Sequence, residues 1–495
     1  MDFQDLQEYL DKLHAYKQAL TLFSWDQETE APEKSMEQTA KAVGVLAKEL
    51  FELTTDPKVK EILLELKDQK LKPYQKAIVD KWLKEITRLE KIPAKEYQEH
   101  QERLLIGQRV WQKAKQKNDY QMFMPYLKEI VATEKRFATY RRKDEACLYD
   151  VLLDDYEPGF KVEQLDQFFA LLRKEIVPLL KKIQASPIKI NKDYNYYHYD
   201  LDKQKEFNQW LAGYIGFDFD KGVIKESEHP FTTEFHNHDV RITTHYYEDN
   251  LESAIFSTIH ESGHAIYEMN IDDDITMTPI GSGASMAMHE SQSRFYENII
   301  GRSLQFWHPI YPRMQKIFAP NLDDVSLEQF IQGINKVEPS LIRTEADELT
   351  YSLHIMVRYE IEKKLFNEEV DFEELPKLWN QLYQEYLGIT PLDDATGILQ
   401  DIHWAGGDLG YFPSYALGSA IGAQIYHHMK KTTAIDDWIE SGDFQVLKKY
   451  LQETIHHYGA TYNTNEILKN LTGEDFNPQY YVDYLVDKYI KLYQL

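Results

Sequence analysis

The chain has 495 residues and a net charge of −26, a balance that argues against nucleic acid and anionic membranes as partners. No run approaches the roughly 18 apolar residues of a membrane span, and Met1–Asp5 lacks the basic and apolar regions of a signal peptide. Gly (21) and Pro (18) are sparse for this length, which favours long helices, and the single cysteine, Cys147, excludes an internal disulfide and fits a reducing cytoplasm.

Residues 3–20 place Phe3, Leu6, Leu10, Leu13 and Tyr16 at helical spacing behind Asp2 as cap. Ser24-Trp25-Asp26-Gln27-Glu28-Thr29 is expected to break that helix on the way to Pro32. Ser35 can cap a helix reaching Leu53, Asp56-Pro57 restarts the chain, another helix follows Pro73, and Pro93 opens one that reaches Lys117. Further helical patterns lie at 122–142, 163–183, 202–214, 326–336, 341–365, 372–387, 414–430 and 446–458. No repeat, low-complexity segment or Gly/Ser linker divides the chain, so 1–495 reads as one helical body. Asp239-Val240-Arg241-Ile242-Thr243-Thr244-His245-Tyr246-Tyr247 is the exception, alternating and rich in β-branched residues. It reads as a strand, either an exposed edge that could bind an extended peptide or a hairpin that only packs.

Immediately downstream, Thr258-Ile259-His260-Glu261-Ser262-Gly263-His264 contains H-E-x-x-H. Residues four apart share a helix face, so both imidazoles can reach one tetrahedral metal, and Glu261 can serve as general base on water activated there. Asn250 is the expected N-cap, and the helix should end near Asn270. Alone, the pattern also fits two surface histidines on an amphipathic helix. A third ligand sharpens it. Glu290, in His289-Glu290-Ser291, lies 26 residues after His264, across a loop marked by Asp272-Asp273-Asp274, Pro279 and Gly281-Ser282-Gly283. Its expected helix runs on through Phe295, Ile299 and Ile300. Two His and one Glu with an open fourth position make a catalytic zinc shell rather than a structural one. Glu268 and Glu297 are competing ligands, less well placed.

Two later stretches read as site loops. Arg343, near the start of the 341–365 pattern, sits against the helix-dipole preference, so it serves a contact: a structural ion pair or a clamp for a substrate carboxylate. Gly397 to Tyr415 is the most Gly-rich loop, and its His403, Tyr411 and Tyr415 are donors that could hold an oxyanion or simply be satisfied core residues.

Together these segments resemble the carboxypeptidase Taq family of zinc metallocarboxypeptidases over essentially the whole length. The resemblance is carried by His229-Pro230-Phe231, Asp239-Val240-Arg241-Ile242-Thr243, His260 to His264, His289-Glu290-Ser291, Ile342-Arg343 with Ala346-Asp347, and Gly397 with Gln400-Asp401 and His403-Trp404. Trp25-Asp26-Gln27-Glu28-Thr29 also resembles the family. The resemblance implies a nearly all-α, saddle-shaped body with a long groove and a small β element, similar to neurolysin and angiotensin-converting enzyme. It implies a homodimer that removes single residues from peptide C-termini with broad specificity and poor action on proline. It further implies zinc, replaceable by cobalt, on His260, His264 and Glu290, with Glu261 as base. In the mechanism that follows, His403, Tyr411 or Tyr415 assists the oxyanion, and Arg343, with Arg241 second, pairs with the terminal carboxylate. A zinc oligopeptidase cutting internally, and a helical interaction protein with a chance motif, stand as the alternatives.

Overall fold

The computed structural model describes residues 2–495; Met1, where the leader reading begins, and the side chain of Glu33 lie outside the description. The chain is helical almost throughout, with a small three-stranded sheet among the described residues. Its contacts divide it into two compact units: Met1–Thr87, Asn191–Ile334 and Ile425–Phe476 form the first, and Arg88–Ile190, Asn335–Gln424 and Asn477–Leu495 the second.

Most expected helices are present within a few residues, including Met36–Thr54, Pro73–Glu90, Ala94–Lys117, Tyr120–Arg141, Val162–Ala185 and Leu201–Tyr214. The first departs from expectation. Gln7–Thr29 is continuous through Trp25-Asp26-Gln27-Glu28, because Trp25 is buried and packs edge-on against Phe231 at 5.5 Å. Packing there outweighs the weak local propensity of Ser, Asp and Thr. Leu304–Ile317 is a helix that the sequence pattern does not announce, since Pro309 and Pro312 lie inside it, yet Phe306, Trp307, Ile310, Tyr311 and Met314 give it a buried face. The pattern at 341–365 begins later than expected: Arg343–Glu345 is a single 3₁₀ turn, and the helix proper is Glu348–Asn367 behind an Asp347 cap. That at 446–458 is Phe444–Thr454 followed by a 3₁₀ turn, His456–Tyr458.

In the first unit, β1 (Ile224–Glu226), β2 (Thr232–His236) and β3 (Asp239–Thr244) pair in the order β1-β3-β2. β3 is therefore the central strand, and the reading of Asp239–Tyr247 as an exposed edge is corrected. It pairs parallel with β1 and antiparallel with β2, which is an edge, and it ends at Thr244. Val240 and Ile242 pack with Ala265 and Met269 of the Leu251–Met269 helix, seating the sheet on the element that carries H-E-x-x-H. Thr243 Oγ1 accepts from the Phe231 amide (2.9 Å) and pairs with Ser227 (2.6 Å), tying His229-Pro230-Phe231 to β3. A second core cluster joins the N-terminal helices, through Leu6, Leu10, Leu63 and Trp82, to Ile271, Ile275 and Ile280 just after the Leu251–Met269 helix.

In the second unit, Phe169 of Val162–Ala185 stacks on Tyr359 at 4.7 Å, and Glu348 accepts from Tyr484 (2.7 Å) and Tyr489 (3.1 Å), fixing the last helix, Gln479–Tyr493.

Candidate metal centre

Asn250 caps the Leu251–Met269 helix as expected, its side chain accepting from the Ser253 amide, and Asn270 is the C-cap. Ser285 caps the shorter helix Met286–Arg294, which continues as a π-helical turn, Phe295–Ile300. The two helices touch at Gly263. A Cβ there would stand 2.8 Å from the Gln292 carbonyl oxygen and 2.8 Å from Ser293 Cα, so only glycine allows this approach. Glu290 is thereby brought to the face that carries His260 and His264.

His260, His264 and Glu290 are the one group of three such side chains among the described residues that could hold a metal, each offering a ligand atom within 4.8 Å of the others. Glu290 Oε2 lies 3.7 Å from His260 Nε2 and 3.4 Å from His264 Nε2. Ligand atoms about 2.0–2.1 Å from a tetrahedral zinc stand about 3.3–3.4 Å apart, so the donor set fits a single divalent ion. Glu290 Oε1 is held by Arg294 Nε at 2.7 Å. Burial alone would raise the Glu290 pKa, but Arg294 and the two histidines hold it well below the usual carboxylate range, which keeps it an anion. Burial, reinforced by His289, pushes His264 down to about 3, which keeps its imidazole neutral, the form that can bind a metal.

The two competing acids stand behind the ligands. Glu297 Oε2 is 2.8 Å from His260 Nδ1 and 3.2 Å from Arg294 Nη1, so it orients His260 and leaves Nε2 free for the metal. Glu268 faces His289 at 2.8 Å. Glu261, one residue after His260, has its carboxylate 2.6 Å from the Thr232 hydroxyl on β2, which donates to it. Burial raises its pKa above the ordinary value. The roles of Thr232 and Glu297 beside these side chains do not show in the sequence pattern, whereas that of Arg294 leaves a signal. That signal is the i,i+4 spacing of Glu290 and Arg294.

Arg241, also in the first unit, forks onto Asp239 (Nε–Oδ1 and Nη2–Oδ2, both 2.8 Å) and stacks over Phe235 at 4.4 Å and Trp25 at 5.6 Å. Its Nε/Nη2 face is thus taken by Asp239 of its own strand, one carboxylate to one guanidinium.

The second unit gathers Arg343, His403, Tyr411 and Tyr415. His403 Nε2 is 3.2 Å from the Tyr415 hydroxyl, its ring stacks with Tyr411 at 5.7 Å, and burial pushes its pKa down to about 4, so it is neutral at pH 7. Arg343 lies 4.9 Å from the Tyr415 ring centroid and pairs with Asp401 Oδ1 through Nε (3.0 Å) and Nη2 (3.0 Å), while Arg358 Nε takes Asp401 Oδ2 at 2.8 Å. One carboxylate thus serves two guanidiniums and leaves an excess positive charge in that cluster. Glu362, which no local pattern marks, holds the loop: it accepts from Trp404 Nε1 (2.7 Å), the Gly410 amide (3.0 Å) and Tyr149 (2.6 Å).

The sequence matches the carboxypeptidase Taq (M32) metallopeptidase family over residues 5–489. It is 44% identical to carboxypeptidase 1 of Bacillus subtilis (strain 168) over 497 residues, covering 100% of this chain and 98% of that protein. It is 37% identical to thermostable carboxypeptidase 1 of Thermus thermophilus, again covering 100% and 98%. The fold superposes on the M32 carboxypeptidase of Deinococcus radiodurans R1 with a TM-score of 0.96 at 31% identity, covering 99% of each chain. The corresponding values for metallocarboxypeptidase 1 of Trypanosoma cruzi are 0.93 and 32%, covering 98% of this chain and 99% of that one.

Proposed function

The chain belongs to the carboxypeptidase Taq (M32) metallopeptidase family, and from that membership we propose a zinc-dependent carboxypeptidase that removes single residues from peptide C-termini. Broad specificity with poor action on C-terminal proline is part of the proposal. The observation that carries it is the convergence of His260, His264 and Glu290 with the buried Glu261 beside them. Residues 1–495 would act as one catalytic domain, in keeping with a family match that runs from 5 to 489.

Zinc, with cobalt as a substitute, would be held by His260, His264 and Glu290, and would supply Lewis acidity toward the scissile carbonyl and toward water. Glu261, steered by Thr232, takes the proton from the attacking water and returns it to the leaving amine. A hydrogen bond from His403, Tyr411 or Tyr415 stabilises the developing oxyanion; neutral His403 would offer it an N–H rather than a positive charge. Arg343 receives the peptide's terminal carboxylate. Two guanidiniums sharing the one Asp401 carboxylate support Arg343 over Arg241, which Asp239 neutralises one to one. Action in the cytoplasm as a homodimer completes the reading; the single, unpaired Cys147 is in keeping with that compartment.

A mixed peptide and its C-terminally amidated twin, each incubated with the zinc-loaded protein and read by mass spectrometry, test the proposal. The expected result is a ladder of single-residue losses from the free peptide, suppressed by amidation, because the amide brings no second anion to the two guanidiniums that share Asp401. Internal cuts in both peptides would replace this reading with an oligopeptidase.

A further inference from the structure

His260 and His264 are oriented in different ways. Behind His260 stands a carboxylate, Glu297, at 2.8 Å. Behind His264 stands another imidazole: His264 Nδ1 is 2.5 Å from His289 Nδ1, and His289 Nε2 is 2.8 Å from Glu268 Oε1. We propose that His289 is a positioning residue that fixes the tautomer and ring orientation of His264 through a relay ending on Glu268.

Counting hydrogens sets the direction of the relay. Glu268 is 2% exposed, and its Oε1 also accepts from the Gly283 amide at 2.9 Å, so this carboxylate oxygen is held as an acceptor. A neutral His289 then carries its hydrogen on Nε2 and presents the lone pair of Nδ1 to His264. The contact between the two Nδ1 atoms then needs one hydrogen, which His264 must supply. That leaves the lone pair of His264 Nε2, the atom 3.4 Å from Glu290 Oε2, directed at the ion. The relay is also fixed in space. The Tyr267 ring lies 5.5 Å from the His289 ring, and the Tyr267 hydroxyl accepts from the Ala284 amide at 3.1 Å. A Cβ on Gly283 would stand 2.8 Å from His289 Cδ2, so the loop closes directly on the imidazole. Partners that orient a metal-bound histidine in this way typically govern metal affinity.

The inference rests on the metal reading of His264 but on nothing about peptides, and its test uses none. Zinc affinity is measured by chelator competition for the full-length protein and for His289→Phe and His289→Asn, with thermal unfolding of each metal-free protein and the visible spectrum of each cobalt form alongside. His289→Phe keeps a ring but removes both nitrogens; His289→Asn places an oxygen acceptor near the position of Nδ1. His289→Phe is expected to bind zinc about 10–100-fold more weakly and to alter the cobalt spectrum, and His289→Asn to recover most of both. Unchanged affinity in His289→Phe would overturn the proposal. So would equal losses in both variants, since a lost ring packing rather than a lost acceptor would then be the cause. Should His289→Phe not fold, nitrogen-15 spectra of histidine in the metal-free parent protein decide: Nδ1–H on His264 is expected, and Nε2–H overturns the relay. Loss of the amidation effect on peptides would strike the carboxypeptidase reading and leave this one standing.

Discussion

Glu261→Gln is expected to lower kcat by about 10²–10⁴-fold while zinc content stays that of the parent protein. Gln matches Glu in size and can still pair with the Thr232 hydroxyl, so the helix and its two histidines have no reason to move. What is lost is the ability to take a proton. The side chain is buried and its pKa is raised by that burial, which makes the carboxylate a better base than one in water. None of the ligand atoms of His260, His264 or Glu290 belongs to Glu261, so metal binding and proton transfer separate cleanly. Turnover of a blocked dipeptide, read beside the zinc content of the same sample, checks this. Activity retained in the variant would remove Glu261 from the role of base.

Asp401→Asn is expected to cost about 3–5 kcal/mol of stability, read from urea unfolding. Arg358 is fully buried and Arg343 nearly so, and Asp401 is the carboxylate they share. An amide in its place turns an N–H₂ toward a guanidinium and leaves two buried cations facing each other. Burial alone would raise the Asp401 pKa, yet the two arginines hold it well below the ordinary carboxylate range. A carboxylate whose folded pKa is depressed contributes its full stabilisation above its unfolded value, about 3.9, and loses it as pH falls toward the folded one. The gap between parent and variant should therefore be constant around neutrality and shrink only in strong acid. A loss below about 1 kcal/mol, the scale of an exposed ion pair, would show that water reaches the cluster and screens it.

What is legible in the sequence and what is not divides along a physical line. The spacing of His260 and His264 is a property of one helix, and so is the Asn250 cap; both can be read from the order of residues alone. Glu290 is legible because a loop of the right length returns the chain to the same face. The partners behind the ligands are not, because they depend on how helices cross. Gly263 sets that crossing, and no local pattern shows that Gln292 lies against it. In the sequence His289 is only the neighbour of Glu290, although its ring spans from His264 to Glu268. Asp239–Thr244 is legible as a strand but not as a central one. Its partners, Ile224–Glu226 and Thr232–His236, are too short to carry a periodic signal, and pairing order is a tertiary fact. Similarly, the break expected at Ser24–Thr29 follows local propensity, whereas Trp25 finds its place by packing on Phe231.

Everything proposed for this protein depends on His260, His264 and Glu290 holding a single catalytic divalent ion. Anomalous diffraction at the zinc edge from crystals of the zinc-loaded protein tests this most directly. The expected result is one peak per chain, bounded by His260 Nε2, His264 Nε2 and a Glu290 carboxylate oxygen, with Glu268 and Glu297 outside its coordination shell. A peak coordinated by Glu268 or Glu297 in place of Glu290, or no peak at these histidines in protein that carries zinc, would contradict it.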